Sequence, residues 1–187
     1  MRFKLIIASI ILIVTAGFVV DGKIVGRHFP EMLCETYNGN DVVLPDTSSG
    51  KYIVVGMAFS NDAEKLLADW INPLYNTLSI NHKAEGDMFG AITEYDVDLF
   101  FIPKFNLANK VMSMKSKEKI KASSDQELFD HLLFYTGSAE FKKILEIKDV
   151  NVPYIFVIDK SGIIEYSASG KYNEKMYDSI IELLDTE

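Results

Sequence analysis

The sequence predicts an α/β domain, because short apolar runs typical of buried strands alternate with segments of helical periodicity. The runs at residues 52–59 and 97–102 are rich in β-branched and aromatic residues and too short for buried helices. We interpret the first as a central strand covered on two faces and the second as another buried strand. Residues 152–184 predict a strand, a tight turn, a second strand and a closing helix. The 187 residues show no internal repeat, so one domain is expected.

The N-terminus has the pattern of an export signal. Arg2 and Lys4 precede an uncharged run over residues 5–20, which as a helix would be about 24 Å long, short of the ~30 Å hydrocarbon core of a bilayer. A cleaved signal peptide and an uncleaved signal-anchor stay open as alternatives. Both place the domain in the periplasm, free or anchored in the cytoplasmic (inner) membrane. Signal segment, linker and folded domain are predicted at residues 1–20, 21–28 and 29–187.

Charge and composition exclude several classes of function. The formal net charge is −8, from 19 basic and 27 acidic side chains, so nucleic acid is not expected as a partner. The single cysteine excludes an intramolecular disulfide. His28, His82 and His131 have no second His or Cys at metal spacing, so no metal or other cofactor is predicted. We interpret His131 as a hydrogen-bonded polar residue on a helix.

A β-hairpin and a long helix are predicted in the first half of the domain. Strands at residues 31–36 and 42–44 flank Asn38-Gly39, the strongest short hairpin signal. After the first buried strand, Ser60 or Asn61 caps a helix over residues 62–78. Pro73 lies inside this helix and should kink or end it.

More helices and a C-terminal strand pair are predicted in the second half. The turn Asp159–Gly162 ends in glycine and joins the two strands. The strands are expected at residues 152–158 and 163–168, and the helices at residues 104–114, 125–135, 138–145 and 173–184.

Two stretches resemble the thioredoxin superfamily, more narrowly its peroxiredoxin-like and membrane-tethered bacterial branches. GRHFPEMLCETYNGNDVVLP is similar to their N-terminal strand pair, and NVPYIFVIDKSGIIEYSASG is similar to their C-terminal hairpin. The resemblance covers about residues 26–185 and implies a thioredoxin-like three-layer sandwich with an N-terminal β-hairpin extension. It also implies a cis bond before Pro153 and a position for this proline facing the active site.

The C-terminal part also resembles the mitochondrial ATP-synthase assembly-factor family. HLLFYTGSAEFKKILEIKDVNVPYIFVIDKSGIIEYSASG carries a similar histidine, tyrosine and glycine, and a Phe-x-x-Asp-x-x-Gly hairpin that ends in Ser-Gly. That family has a thioredoxin-like fold, lies at the inner membrane and assists assembly of a membrane complex rather than catalysing thiol exchange. Ile163, Ile164, Glu165 and Tyr166 stand where the family prefers basic and tryptophan residues, so the resemblance does not identify the partner.

The cysteines needed for redox catalysis in this fold are missing. A thiol oxidoreductase needs Cys-x-x-Cys at the start of the first helix, where the helix dipole lowers the thiol pKa. Asn61-Asp62-Ala63-Glu64 stands at that position, and the Thr-x-x-Cys of a peroxiredoxin is absent as well. We therefore expect no enzyme activity. The alternative is a degenerate thiol peroxidase or reductase that uses Cys34, although this residue is better interpreted as a small buried hydrophobe.

Other chemistry at the first helix is weakly supported. Asp62 and Glu64 are candidates for an acid pair or a metal site, but acidic residues are common in the first turn of a helix because they complement its dipole. Ser60 lacks the Gly-x-Ser-x-Gly context of a serine nucleophile.

The sequence therefore predicts a non-catalytic binding or assembly module at the outer face of the cytoplasmic membrane. We expect a protein partner in a groove between the start of the first helix and the loop before the strand at residues 152–158. The candidate groove residues are Ser60, Asn61, Asp62, Glu64, Val152 and Pro153. Four lysines, Lys115, Lys117, Lys119 and Lys121, are candidates for contact with anionic lipid headgroups, or else form a solvated helix end.

Overall fold

The computed structural model describes residues 19–20, 23–80, 95–103, 126–135 and 137–186 and contains two β-sheets and three α-helices. The larger sheet has the strand order β1-β8-β7-β4-β5, and the smaller one has the order β3-β2-β6. The strands are β1 (Val19–Val20), β2 (Met32–Thr36), β3 (Asp41–Leu44), β4 (Tyr52–Met57), β5 (Val97–Ile102), β6 (Leu133–Tyr135), β7 (Tyr154–Ile158) and β8 (Ile164–Ser169). The helices are α1 (Asn61–Tyr75), α2 (Phe141–Ile144) and α3 (Glu174–Asp185).

The larger sheet separates two hydrophobic cores. Its central strand β4 runs parallel to β5 and antiparallel to β7, and every residue of β4 and β7 is buried. Because side chains alternate along a strand, Val54 packs with α1 and α3 on one face, while Val55 packs with the smaller sheet and α2 on the other. This arrangement confirms the predicted three-layer sandwich and the covered central strand at residues 52–57. Within the described residues, β5 lies at the edge of the larger sheet and three of its six residues are only half-buried, so the prediction of a fully buried second strand is wrong.

The predicted hairpin at Asn38-Gly39 is confirmed. Strands β2 and β3 pair antiparallel, with Cys34 opposite Val42. The backbone N–H of Thr36 donates to the carbonyl oxygen of Asn40 at 2.8 Å, and Gly39 has a φ of 88°, a left-handed conformation that glycine adopts at low cost.

The helix predicted over residues 125–135 is wrong in its second half. A 3₁₀-helix covers Gln126–His131, and the chain then forms strand β6. Strand β6 pairs antiparallel with β2, where Tyr135 lies opposite Cys34 and Leu133 opposite Thr36. Pairing with the hairpin satisfies the backbone hydrogen-bonding groups of these aromatic and apolar residues. Tertiary contacts therefore override the helical pattern of the sequence.

Helix α1 runs through Pro73 without ending there. It stops at Tyr75, and a π-helical segment follows over Asn76–Ile80. The N–H of Asn76 donates to the carbonyl oxygens of both Asn72 and Pro73, and the helix widens from Asn76 onward, where the π-helical hydrogen bonds begin. The predicted helix at residues 104–114 lies outside the described residues.

The C-terminal hairpin forms as predicted, but the bond before Pro153 does not have the predicted cis conformation. Asp159 Oδ1 accepts hydrogen bonds from the backbone N–H groups of Ser161 and Ile163 at 2.8 and 2.7 Å, which shapes the turn. The Val152–Pro153 bond is trans, the form that is intrinsically favoured even before proline. Among the described residues, the cis peptide bond joins Leu44 to Pro45.

The segment before the hairpin packs on strand β8. Ile24 is buried, and the N–H of Gly26 donates to the carbonyl oxygen of Ile164 while the N–H of Ile164 donates to that of Arg27. Strand β1 pairs with the far end of β8. Residues 1–18 of the predicted signal segment (1–20) lie outside the described residues. None of the described helices has the length and apolar character required to span a bilayer.

Candidate functional site

Two loops meet at one end of the larger sheet. The register of β4 and β7 sets Met57 opposite Tyr154, so the end of β4 lies beside the start of β7. The residues after β4 lead into α1, and Val152 and Pro153 lead into β7. Phe59 contacts Tyr154 with ring centroids 5.7 Å apart, so the residues that precede α1 lie against the start of β7.

Helix α1 starts at the residues expected from the sequence. Ser60 is the N-cap, because its hydroxyl accepts a 3.1 Å hydrogen bond from the N–H of Ala63. Asn61 is exposed at the first helical position. Asp62 pairs with Lys65 at 2.9 Å in a highly exposed ion pair, and Glu64 lies half-buried one turn beyond Ser60. The positions of Asp62 and Glu64 fit carboxylates that complement the dipole at the start of the helix better than a catalytic acid pair.

The loop before β7 is anchored on both sides of Val152. The hydroxyl oxygen of Tyr154 accepts hydrogen bonds from the N–H groups of Lys148 and Asp149, both at 3.0 Å. The carbonyl oxygen of the buried Pro153 accepts one from the N–H of Gly170 at 3.0 Å. The half-buried Val152 therefore lies in an anchored loop and packs against the core cluster that contains Phe59.

An aromatic cluster, formed by Phe59, Phe141 and Tyr154, lies under these loops. Phe59 stacks on Phe141 with centroids 5.9 Å apart, and the ammonium of Lys142 lies 5.3 Å from the centre of the Phe59 ring. The sequence reasoning missed Phe141 and Lys142, because they are distant from α1 along the chain and belong to no local motif. The one available signal in the sequence was that Phe141 and Lys142 are neighbours in the short helix predicted over residues 138–145.

Cys34 belongs to the smaller sheet and not to β4, the strand that leads into α1. Its side chain is 2% exposed and packs in the core beneath the hairpin. Burial raises the pKa of the Cys34 thiol to about 12. The thiol is therefore neutral at physiological pH, and a neutral buried thiol is a poor nucleophile.

The remaining polar candidates have structural partners or lie elsewhere. His131 Nδ1 lies 2.8 Å from the carbonyl oxygen of Leu99 and its ring packs edge-on against Tyr75, which fits its interpretation as a satisfied polar residue. Residues 23–80, 95–103, 126–135 and 137–186 hold no cluster of His, Cys, Asp and Glu suited to a metal ion. The four lysines Lys115, Lys117, Lys119 and Lys121, and also His82, lie outside the described residues.

Solved thioredoxin-like structures share this fold at low sequence identity. The thioredoxin domain of a thiol-disulfide oxidoreductase from Bacteroides vulgatus aligns with a TM-score of 0.55 and 18% identity, over 86% of this chain and 97% of that chain. A proposed thiol:disulfide interchange protein from Chlorobium tepidum aligns with a TM-score of 0.57 and 11% identity, over 86% and 96%. An exposed lipoprotein thioredoxin of Streptococcus pneumoniae aligns with 0.52 and 17%, over 84% and 100%. At these identities the likeness establishes the fold alone.

A family model assigns the chain more narrowly. No curated protein matches the sequence significantly. The model described as "ATP10 protein" matches residues 26–185, the same stretch for which the sequence resembles thioredoxin-like proteins. It agrees with the resemblance of the C-terminal part to ATP-synthase assembly factors. Because the match spans nearly the whole described domain, the chain belongs to the ATP10 protein family.

Proposed function

We propose that this protein is a non-catalytic assembly module that holds an extended segment of a protein partner between the start of α1 and the loop before β7. The observation that carries the proposal is the backbone of Val152. Among the described residues its N–H and C=O form no hydrogen bond, while the residues around it are anchored. An extended segment can pair with such a backbone as an added strand does.

The absence of redox chemistry is part of the proposal. No sulfur stands at Asn61-Asp62-Ala63-Glu64, where the family's redox relatives need one, and the thiol of Cys34 is buried with a raised pKa. A protein without a reactive thiol can still keep the surface that redox enzymes of this fold use for polypeptides. We therefore expect neither insulin reduction nor peroxidase turnover, and turnover that disappears in Cys34→Ser would contradict this.

The proposed location is the outer face of the cytoplasmic membrane. Its support is the charge and hydropathy pattern of residues 1–20. In spheroplasts of a Gram-negative host, the full-length protein should be degraded by added protease without lysis. Protection from the protease until lysis would contradict an exported location.

The binding site is tested by paired substitutions and recovery of crosslinked partners. Asn61→Arg and Val152→Trp place bulk in the groove, while Asn72→Arg on the exposed side of α1 and Val150→Trp in the same loop as Val152 serve as matched controls. We expect loss of the partner in the two groove variants alone, with melting temperatures within a few degrees of the wild type. The experiment compares bands after in vivo crosslinking and affinity purification.

A fifth variant decides between the groove and the basic segment. Neutralising Lys115, Lys117, Lys119 and Lys121 together should leave partner recovery unchanged. Loss of the partner in this variant, together with its retention in Asn61→Arg and Val152→Trp, would make the lysines the working surface and overturn the groove.

A further inference from the structure

The N-terminal segment runs along strand β8 in a fixed direction. Strand β1 pairs antiparallel with β8 and sets Val19 opposite Ser169. Further along the chain, the backbone N–H of Gly26 donates to the carbonyl oxygen of Ile164 at 2.8 Å, near the other end of β8. Two separate sets of contacts therefore give the same direction. The chain enters the larger sheet at the Ser169 end of β8 and continues towards the turn that precedes β8.

The Ser169 end of β8 is also the end at which the candidate groove lies. Ser169 is opposite Tyr154 in the register of β7 and β8, and the N–H of Gly170 donates to the carbonyl oxygen of Pro153 at 3.0 Å. Met57, the last residue of β4, is in turn opposite Tyr154. Neighbouring strands are about 4.8 Å apart, so β1 lies about 10 Å from the start of β7 and about 14 Å from the end of β4.

The sequence before β1 leaves no length for a spacer between a membrane anchor and the sheet. The uncharged run at residues 5–20 includes both residues of β1. The 18 residues that precede β1 would be about 27 Å long as a helix, close to the ~30 Å hydrocarbon core of a bilayer. An anchor formed by these residues would therefore use all of them, and the sheet would begin at the bilayer surface.

We infer that the uncleaved N-terminal segment anchors the domain with its groove end facing the bilayer, so that the groove accepts an extended polypeptide segment that lies at the membrane surface. This inference rests on the proposed function, from which it takes the groove and the outer face of the membrane. The direction of entry carries it, because entry at the opposite end of β8 would turn the groove away from the bilayer. The tether sets the orientation, and no lipid affinity of the domain's own surface is required.

The test measures which end of the domain lies near the lipid headgroups. An environment-sensitive fluorophore is attached to Lys171→Cys, just beyond the groove end of β8, or to Ser161→Cys, in the turn at its other end. Both positions are exposed, and the native Cys34 is buried and needs no replacement. The full-length protein is reconstituted in phosphatidylcholine vesicles that contain a lipid spin-labelled at the headgroup. The fluorophore at position 171 should lose most of its emission and the one at position 161 should keep it, because the two ends of β8 are about 20 Å apart.

A change in the tether assigns this quenching to the way the chain enters the sheet. A Gly-Ser linker of about twenty residues, inserted between Phe18 and Val19, has a root-mean-square length of roughly 25 Å. It should restore most of the emission at position 171 while the protein stays in the membrane fraction. The same linker added after Glu187 is the control and should leave the quenching unchanged.

Four results would overturn the inference. They are equal quenching at both positions, stronger quenching at position 161, quenching at position 171 that survives the linker between Phe18 and Val19, and a purified protein whose mass shows that the N-terminal segment has been removed. Each of them leaves open whether the groove binds a partner, which the variants Asn61→Arg and Val152→Trp decide separately. Conversely, partner recovery that is unchanged in those two variants would refute the groove and leave the orientation of the domain standing.

Discussion

Phe59 and Tyr154 meet edge-to-face with ring centroids 5.7 Å apart, and this contact joins the two loops of the candidate site. Phe59 follows β4 and precedes the cap of α1, whereas Tyr154 begins β7 and fixes the preceding loop through its hydroxyl. Buried aromatic packing thus joins the residues before α1 to the loop before β7. The shape of the candidate site therefore depends on how the rings of the aromatic cluster pack.

Truncation of Phe59 should therefore cost both stability and binding. Phe59 is 8% exposed, and removal of a buried phenylalanine ring typically costs about 3–5 kcal/mol. We expect Phe59→Ala to lower the free energy of unfolding by this amount in urea titrations that follow the fluorescence of Trp70, the single tryptophan. The control Val25→Ala, at an exposed side chain, should change it by less than about 0.5 kcal/mol. A similarly small loss in Phe59→Ala would show that the ring is not part of the core.

Cys34 should be inert in the folded protein. Because burial raises the pKa of its thiol to about 12, reaction with a thiol reagent at pH 8 should be slow until denaturant is added. The assay is the rate of iodoacetamide modification followed by mass spectrometry. Complete modification of the native protein as fast as that of the unfolded chain would support the thiol-enzyme alternative instead.

The same pKa shift makes stability depend on pH. The unfolded thiol ionises near its ordinary pKa while the folded thiol stays neutral, so the stabilisation is complete below about pH 9 and is lost as pH rises from about 9 towards 12. In this window the free energy of unfolding should fall by about 1.4 kcal/mol per pH unit more in the wild type than in Cys34→Ala. Parallel pH profiles for the two proteins would contradict a buried thiol.

A side chain at Gly56 should destabilise the protein. A Cβ at this position of β4 would lie 2.9 Å from Leu67 Cδ1, 3.0 Å from Phe101 Cδ1 and 3.2 Å from Ile155 Cδ1. These are ends of flexible side chains, so the core can adjust at a cost of about 1–3 kcal/mol. Gly56→Ala should therefore unfold at lower urea concentration with an unchanged m-value, as measured by circular dichroism. Wild-type stability would show that the three side chains move away freely.

The lysine-rich segment gives a separate prediction about the membrane. Replacing Lys115, Lys117, Lys119 and Lys121 with glutamine should weaken the binding to phosphatidylserine vesicles. The expected loss of binding free energy, measured by co-sedimentation, is about 1 kcal/mol per lysine. Replacing Lys142, Lys143, Lys171 and Lys175 instead is the control and should have a smaller effect. Equal effects of the two sets would indicate a general charge response and no specific contact.

The sequence predicted the main elements of the fold because their signals are local. Asn38-Gly39 identified the hairpin, Ser60 the start of α1, and the run at residues 97–102 matched β5 residue by residue. Strand β6 could not be predicted, since it forms only by pairing with β2, about a hundred residues earlier. The trans bond at Pro153 likewise shows that a Val-Pro pair before a strand does not determine the isomer.

The candidate site was predictable in outline only. The groove at Ser60, Asn61, Val152 and Pro153 was predicted from the resemblance to thioredoxin-like proteins, and it remains a prediction. The aromatic cluster beneath them joins β4, α2 and β7, and no periodicity links Phe59 to Phe141. Leu33 and Val43 lie opposite each other because of the register between β2 and β3. The turn at Asn38-Gly39 limits this register, and the alternation of buried and exposed side chains fixes it.

The most direct test of the groove is site-specific photocrosslinking in cells. A benzophenone amino acid at position 61 lies at the exposed start of α1, and the same residue at position 72 lies on the exposed surface near the other end of the helix. The proposed function predicts one discrete protein adduct from position 61, no adduct from position 72, and loss of the first adduct when Val152→Trp is added. Equal adducts at both positions, or none at position 61, would contradict a partner segment in the groove.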